Sequence, residues 1–298
     1  MNTAYTALIA AFKNYLQTLG FAASTCYDYP LFIAGFFKYL ETKNICDIKL
    51  LTTKIIFDYY AYLDNKRSER TKQTLSTAHL KRIYGAIDKF LEFLHHQGLQ
   101  TTPPPLKYTI EHIRKKPLQV LTADEVQQLY NAVPLTFADF NFEIREQRQA
   151  VLKMALHLCY GCGLRRTEAL FLKTTDINFE QKTIHVKQGK NYKDRLIPMS
   201  KKVYEGLRDY IYNHHRYFTK RKEYVYPFGT AALAEALQML VLNSSEAIQQ
   251  KKPSLHTLRH SIATHLLQNG MNIENIARFL GHSTLESTKI YTHILTEL

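Results

Sequence analysis

Acidic residues are scarce in this chain. Its 298 residues hold 26 Asp and Glu against 39 Lys and Arg, a formal net charge of +13 with a pI near 9.4. An imbalance of that size favours a polyanionic partner, and nucleic acid is the commonest one. The excess is +7 up to residue 117 and +6 beyond it, so it is not a basic tail. Long apolar runs are missing as well: no stretch approaches the roughly 18 apolar residues of a membrane span. The opening MNTAYTALIAAFKNYLQTLG has no basic leader, and Lys13 and Asn14 interrupt its apolar part, so it is not expected to act as a signal peptide.

Cysteine is sparse. Cys26, Cys46, Cys159 and Cys162 are the four present, and without a secretion signal they are expected to be reduced thiols of a cytoplasmic protein. Cys159 and Cys162 form a C-x-x-C, a spacing shared by redox pairs and half zinc sites. No second Cys or His pair partners it, which favours small, half-buried thiols at a helix end. The sequence contains neither H-E-x-x-H nor G-x-x-x-x-G-K-[ST], which argues against a zinc protease and a P-loop ATPase. A carboxylate cluster fit for a metal-dependent nuclease is also lacking. There is no internal repeat and no low-complexity segment.

The hydrophobic fraction of 45% is that of a globular protein, and the length suits two domains, each with its own core. The first half reads as helices. Ala7, Leu8, Ala11, Phe12 and Leu16 form one stripe before Gly20. A second helix follows Ser24 and carries Phe32, Ile33, Phe36, Phe37 and Leu40. A third covers 55–63, and a fourth starts at the cap candidate Ser76 and runs to Gly98. The polar, mostly basic loop 66–73 between them suits a solvated turn and a phosphate contact equally. Three consecutive prolines in TTPPPLKY (101–108) cannot continue a helix, and basic IRKKP (113–117) follows. Residues 101–117 are therefore expected to be a semi-rigid interdomain linker between domains 1–100 and 118–298.

In the second half, Thr122 and Glu125 fit a capping box. A helix is predicted over about 145–160. Thr183–Val186 and Arg195–Pro198 flank a turn at 187–194 and read as a β-hairpin with Gly189 near its tip. Val203, Leu207, Tyr210 and Ile211 recur at helical spacing after Ser200. The last 45 residues or so predict three short helices with cap candidates Ser254, Asn272 and Ser283, the last with Glu286 in a further capping box.

Four features could carry chemistry: GCGLRRTEALFL (161–172), Lys190 in the hairpin turn, HTLRH (256–260), and LGHSTLESTKIYTHI (280–294). Arginine forks match the non-bridging oxygens of a phosphodiester and remain charged at any working pH. A tyrosine hydroxyl serves as nucleophile once a neighbour takes its proton, and a lysine can protonate a leaving alkoxide. Each feature alone has an ordinary explanation: adjacent arginines are usually solvated, a lone histidine near a helix start is more often structural, and Tyr291 is one of 20 tyrosines. Composition and spacing by themselves support a basic, helical, nucleic-acid-binding protein capable of phosphoryl chemistry.

Together the four motifs resemble the tyrosine recombinases, meaning the Xer recombinases, lambda-type integrases and their relatives. The H-x-L-R-H-x-x-A-T-H-L-L pattern is matched by His256 through Leu267. The L-G-H-S-T-x-x-x-T-x-x-Y-T-H pattern is matched by Leu280 through His293. The likeness is closer to the Xer and integrase branch than to the type IB topoisomerases. From Leu121 to His293 it rests on motifs, and over residues 1–100 on general character.

The resemblance implies a mainly α fold with a small β-hairpin or sheet: an N-terminal helical core-binding (SAM-like) domain and an α+β catalytic domain, clamping the duplex as a C. It implies a site-specific recombinase that cleaves and rejoins DNA through a 3′-phosphotyrosine, without metal, ATP or cofactor. Tyr291 would be the nucleophile, with Arg165, His256, Arg259 and His282 on the scissile phosphate. Lys190 would protonate the leaving 5′ oxygen, with Lys193 the competing candidate. Glu168 would help orient the site, Arg166 would be a neighbour, and His260 structural. The implied partners are double-stranded DNA and three further copies of the chain in a synaptic tetramer, with room for a second recombinase or an accessory factor. Only seven residues follow Tyr291 in this sequence, where many relatives carry a longer docking segment, and a simple two-domain enzyme is expected rather than the lambda type with its arm-binding domain. A DNA-binding factor without catalysis and a topoisomerase-like relaxing enzyme are the rival readings.

Overall fold

The computed structural model describes residues 2–67, 72–108, 119–187, 194–282 and Thr288. The chain divides into two compact units, Met1–Lys115 and Lys116–Leu298.

The first unit is built on α1 (Thr3–Thr18), α2 (Ala23–Thr42), α3 (Thr53–Asn65) and α4 (Thr77–His96). Caps set three of the starts. Asn2 accepts from the Ala4 amide, Thr52 from Ile55 and Ser76 from His79, each satisfying an amide with no helical partner. Ser24 does not cap α2, which begins one turn position earlier at Ala23 without a side-chain cap. Pro30 lies inside α2, buried, and the helix continues through it.

The buried stripe of α1 is Tyr5, Phe12 and Leu16, whereas Ala7 and Ala11 are exposed. The stripe is helical but rotated from the predicted one, because Tyr5 buries its ring against Phe37 at 4.0 Å and sends its hydroxyl to the Ile45 carbonyl. Ile33, Phe36, Phe37 and Leu40 of α2 and Phe90 and Leu94 of α4 complete the core.

The proline segment lies on this unit. Thr102 is buried, and its carbonyl is 2.7 Å from Nε2 of His95. The Leu106 amide donates to Asp88 at 2.8 Å, and Tyr108 packs on Phe57, Tyr60 and Tyr84. Prolines cannot donate to a ladder, yet nothing prevents their neighbours from anchoring the segment by side-chain bonds. IRKKP lies outside the described residues.

The second unit opens with α5 (Ala123–Ala132), held by the capping box of Thr122 and Glu125. Next come α6 (Phe142–Leu156) and a π-helical turn, His157–Gly161. The widened turn accompanies a close approach: the buried His157 ring fills the space where a side chain on Gly206 would be, its Nε2 only 2.2 Å from an ideal Cβ there. Then follow α7 (Arg166–Phe171) and a three-stranded antiparallel sheet in the order β1 (Ile177–Asn178), β2 (Thr183–Val186), β3 (Arg195–Pro198). Ile184 opposes Ile197, and Val186 opposes Arg195. Helices α8 (Lys201–Asp209), α9 (Thr230–Leu242), α10 (Glu246–Lys251), α11 (Leu255–Gln268) and α12 (Ile273–Leu280) complete the unit.

The large core joins Leu129, Leu152, Leu158, Leu170, Ile184, Ile197, Leu207 and Leu240. A satellite cluster of Ala263, Ile276 and Leu280 holds α12 to α11. Cys159 and Cys162 are fully buried rather than half-buried, and burial pushes both thiols up to about 12, which keeps them protonated and unreactive. Gly189 and the Ser283–Glu286 capping box lie outside the described residues.

Candidate active site

The site forms where the chain leaves the π turn. Gly163 has φ +58°, and a Cβ there would sit 3.0 Å from both Leu280 and Phe279. Glycine adopts this left-handed conformation without strain, and without a Cβ it lets the backbone come that close to α12. Leu164 is buried behind it. Arg165 follows in extended conformation as the residue before α7, which places Glu168 in the first turn. There one carboxylate oxygen of Glu168 accepts from the Arg165 amide at 2.8 Å and the other from its Nη1 at 2.7 Å.

Three guanidiniums converge on this carboxylate. Besides Arg165, Arg195 donates through Nη1 and Nη2 to the two oxygens at 3.1 and 2.8 Å. Arg259, from α11, has Nη1 at 3.8 Å. The same three arginines take up the carbonyls at the end of α12, which lack helical partners. Arg195 Nε donates to Phe279 at 2.9 Å, Arg259 Nη2 to Leu280 at 2.7 Å, and Arg165 Nη2 to Gly281 at 2.9 Å. Gly281 closes α12 in the left-handed conformation. Arg259 also donates to the Gly163 carbonyl. Three guanidiniums against one carboxylate leave positive charge in excess.

Burial alone would raise the Glu168 carboxyl. The bonds and charge of Arg195 outweigh it, with those of Arg165, and hold the carboxyl down at about 2. For the imidazoles, burial and neighbouring cations act in the same direction, and both lower them. Burial, then Arg259 and Arg165, push His282 down to about 4. Burial, then His256 and Arg259, do the same to His260. His256 is lowered by partial burial and by Arg259, Arg166 and Arg165, although its residue surface is largely exposed. All three rings are therefore neutral near pH 7. Nδ1 of His282 is 2.7 Å from the Thr288 hydroxyl. His256 and His260 have ring centroids 6.5 Å apart.

Arg165, Glu168, Arg259 and His282 are thus brought together, with His256 one turn along α11 from Arg259 and Arg166 exposed at the edge. Lys190, Lys193 and Tyr291 lie outside the described residues. Among the described residues, no three His, Cys, Asp or Glu side chains gather as a metal-ligand set, and no helix is long and apolar enough to cross a membrane.

Residues 119–297 match the phage integrase family. The chain belongs to that family. A tyrosine recombinase of Thermosipho africanus is 35% identical to this chain over 218 residues, 72% of this chain and 71% of that protein. A tyrosine recombinase XerC of Pediococcus pentosaceus is 29% identical over 303 residues, 97% and 94% of the two chains. Among solved structures, a XerH site-specific recombinase bound to its difH substrate before cleavage aligns with TM-score 0.69 at 18% identity, covering 91% of this chain and 78% of that one. A lambda integrase dimer bound to a COC′ core site aligns with TM-score 0.64, also at 18% identity, covering 96% and 76%. The shared fold is the expected one: mainly helical, with a small antiparallel sheet.

Two residues of this candidate site were not singled out in the sequence. Arg195 reads as an ordinary hairpin residue, but it occupies an inward position of β3, in step with Ile197. A charge on the inward register of a strand is the signal that was available. Thr288 carries no signal outside the motif that contains it.

Proposed function

We propose that this chain is a site-specific DNA recombinase that breaks and rejoins strands through a covalent 3′-phosphotyrosine at Tyr291. The convergence of Arg165 and Arg259 on one buried carboxylate, beside a neutral His282, carries the reading. A phosphodiester gains charge on its non-bridging oxygens as it passes through displacement, and fixed cationic donors favour that state over the ground state. In this reading Arg165 and Arg259 bind those oxygens, and His256 and His282 add neutral hydrogen bonds. The Tyr291 oxygen attacks phosphorus as its proton leaves to a neighbouring base. The bond to the 5′ oxygen breaks, and Lys190, with Lys193 as the rival, protonates the departing alkoxide. A 5′ hydroxyl of a partner duplex then attacks the phosphotyrosine and releases Tyr291. One phosphoester bond is exchanged for another at each step, so the sequence needs no ATP.

The first unit, 1–100 in outline, is read as the core-binding domain and residues 118–298 as the catalytic one. The net +13 charge supports phosphate contacts from both. A tetramer on two DNA sites, accessory partners and a cytoplasmic setting belong to the same proposal.

The test is recovery of covalent protein–DNA adducts from the native host for the natural protein and for Tyr291→Phe, followed by sequencing of the attached DNA. Adducts that vanish in Tyr291→Phe are expected, and their sequence reveals the target site. Tight DNA binding without any adduct would overturn the catalytic reading in favour of a binding factor.

A further inference from the structure

Strand β3 turns residues 195 and 197 toward the interior. Ile197 fills its place with hydrocarbon opposite Ile184, as an inward strand position ordinarily does. Arg195, opposite Val186, puts a guanidinium there with its side chain only 5% exposed. A cation withdrawn from water must recover its hydration in fixed bonds. Arg195 recovers it from two directions, with Nε on the Phe279 carbonyl and the two terminal nitrogens forked across both oxygens of Glu168.

That fork fixes what the carboxylate can do. A carboxylate held at both oxygens by a planar guanidinium cannot turn about its own axis without breaking both bonds. The remaining lone pairs of Glu168 then point at the Arg165 amide and at Arg165 Nη1. The guanidinium of Arg165 is thus aimed by a carboxylate that Arg195 holds. The Phe279 bond ties β3 to the end of α12, whose next two carbonyls receive Arg259 and Arg165.

We infer that Arg195 is a positioning residue of this site: buried away from the substrate, it locks Glu168 and the end of α12 and so sets the aim of Arg165 and Arg259. The inference rests on the recombinase reading above. Arg195 is also the strongest influence holding the Glu168 carboxyl down against burial, in keeping with that role.

The experiment is a double-mutant cycle on the full-length protein and the DNA site recovered from the adducts. It uses Arg195→Met, Arg195→Lys, Glu168→Gln and the Met/Gln double variant. Single-turnover formation of the Tyr291 adduct, DNA affinity and thermal midpoint are measured for each. Arg195→Met should slow adduct formation about 10- to 100-fold, the usual effect of removing the group that orients a functional ligand. Its DNA affinity should move by less than about threefold, which places the loss in the chemical step. In the Glu168→Gln background the same change should add less than about twofold, because the route through Glu168 is already broken.

Arg195→Lys keeps the charge and most of the stem, so it should fold even if the Met variant does not. Lacking the fork, it should still be at least about tenfold slow. A full penalty in both backgrounds, or a Lys variant as fast as the natural protein, overturns the role of Arg195. A natural protein that forms no Tyr291-dependent adduct instead removes the recombinase reading beneath it.

Discussion

The hydroxyl of Thr288 lies 2.7 Å from Nδ1 of His282, in the same stretch of chain that leads to Tyr291. His282 is pushed down to about 4 and is therefore neutral, with a single N–H. In the recombinase reading, a Thr288 hydroxyl donating to Nδ1 keeps the His282 proton on Nε2, the tautomer that this reading uses at the phosphate. Thr288→Val, nearly the same shape without the hydroxyl, should slow adduct formation by about tenfold, the lower end of the usual cost of losing a group that orients a functional side chain. Thr288→Ser should stay close to the natural rate. Single-turnover cleavage of the recovered site measures both, and equal rates for Val and Ser would detach Thr288 from the chemistry.

Replacing either arginine proposed to bind the phosphate should separate chemistry from binding. Arg165→Ala or Arg259→Ala is expected to lower cleavage by about 100- to 1000-fold, as for loss of a preorganised donor. DNA affinity should stay nearly intact, because many other basic residues neutralise the backbone. Titrations at several salt concentrations check this, and affinity itself should fall steeply as salt rises. A large loss of affinity in either variant would count against its assigned role.

Acid should destabilise the second unit through its histidines. His282 and His260 are held at about 4 and His157 at about 3, all three chiefly by burial, against an ordinary value of 6.5. The folded state therefore binds fewer protons than the unfolded chain between these values. The stability they contribute is complete above pH 6.5 and is lost as pH falls from there toward 4. Calorimetric midpoints taken from pH 7.5 down to pH 4 should fall across that window. A midpoint that does not change would contradict the buried, neutral assignment.

Gly206 leaves room that His157 occupies. A Cβ at 206 would lie 2.2 Å from Nε2 and 2.6 Å from Cδ2 of that ring, with the ring fully buried and unable to swing into solvent. Gly206→Ala should therefore cost about 1–3 kcal/mol despite the better helix propensity of alanine, as overpacking does. Urea unfolding measures it, and an unchanged midpoint would show that the π turn gives way freely.

Much of the fold is legible in the sequence because caps and alternation are local. Thr122, Ser76, Ser200, Ser254 and Asn272 all cap the helices they precede. Strands Thr183–Val186 and Arg195–Pro198 stand where their pattern predicts. What escapes reading is decided by distant packing. β1 has only two residues, too few to show alternation. The π turn at His157–Gly161 answers to a glycine on another helix. Helix α9, TAALAEALQMLVL, is too apolar around its circumference to show a stripe. The site divides in the same way. Arg165, His256, Arg259 and His282 are visible as a motif set, because each sits in a recognisable local string. Glu168 is visible in the same way, as the acidic residue of the first motif, whereas Arg195 becomes visible only when its strand is folded inward.

Gathering Arg165, Arg195 and Arg259 around a single carboxylate sets like charges against one another before any DNA arrives. That repulsion is overcome during folding, by Glu168 and by the carbonyl end of α12, so it does not recur at each turnover. In the proposed reaction, a phosphate entering the site meets dipoles and charges already in their final orientation. The barrier it faces then contains little reorganisation of the protein, and the solvent shell it sheds is replaced by donors that need not turn to receive it.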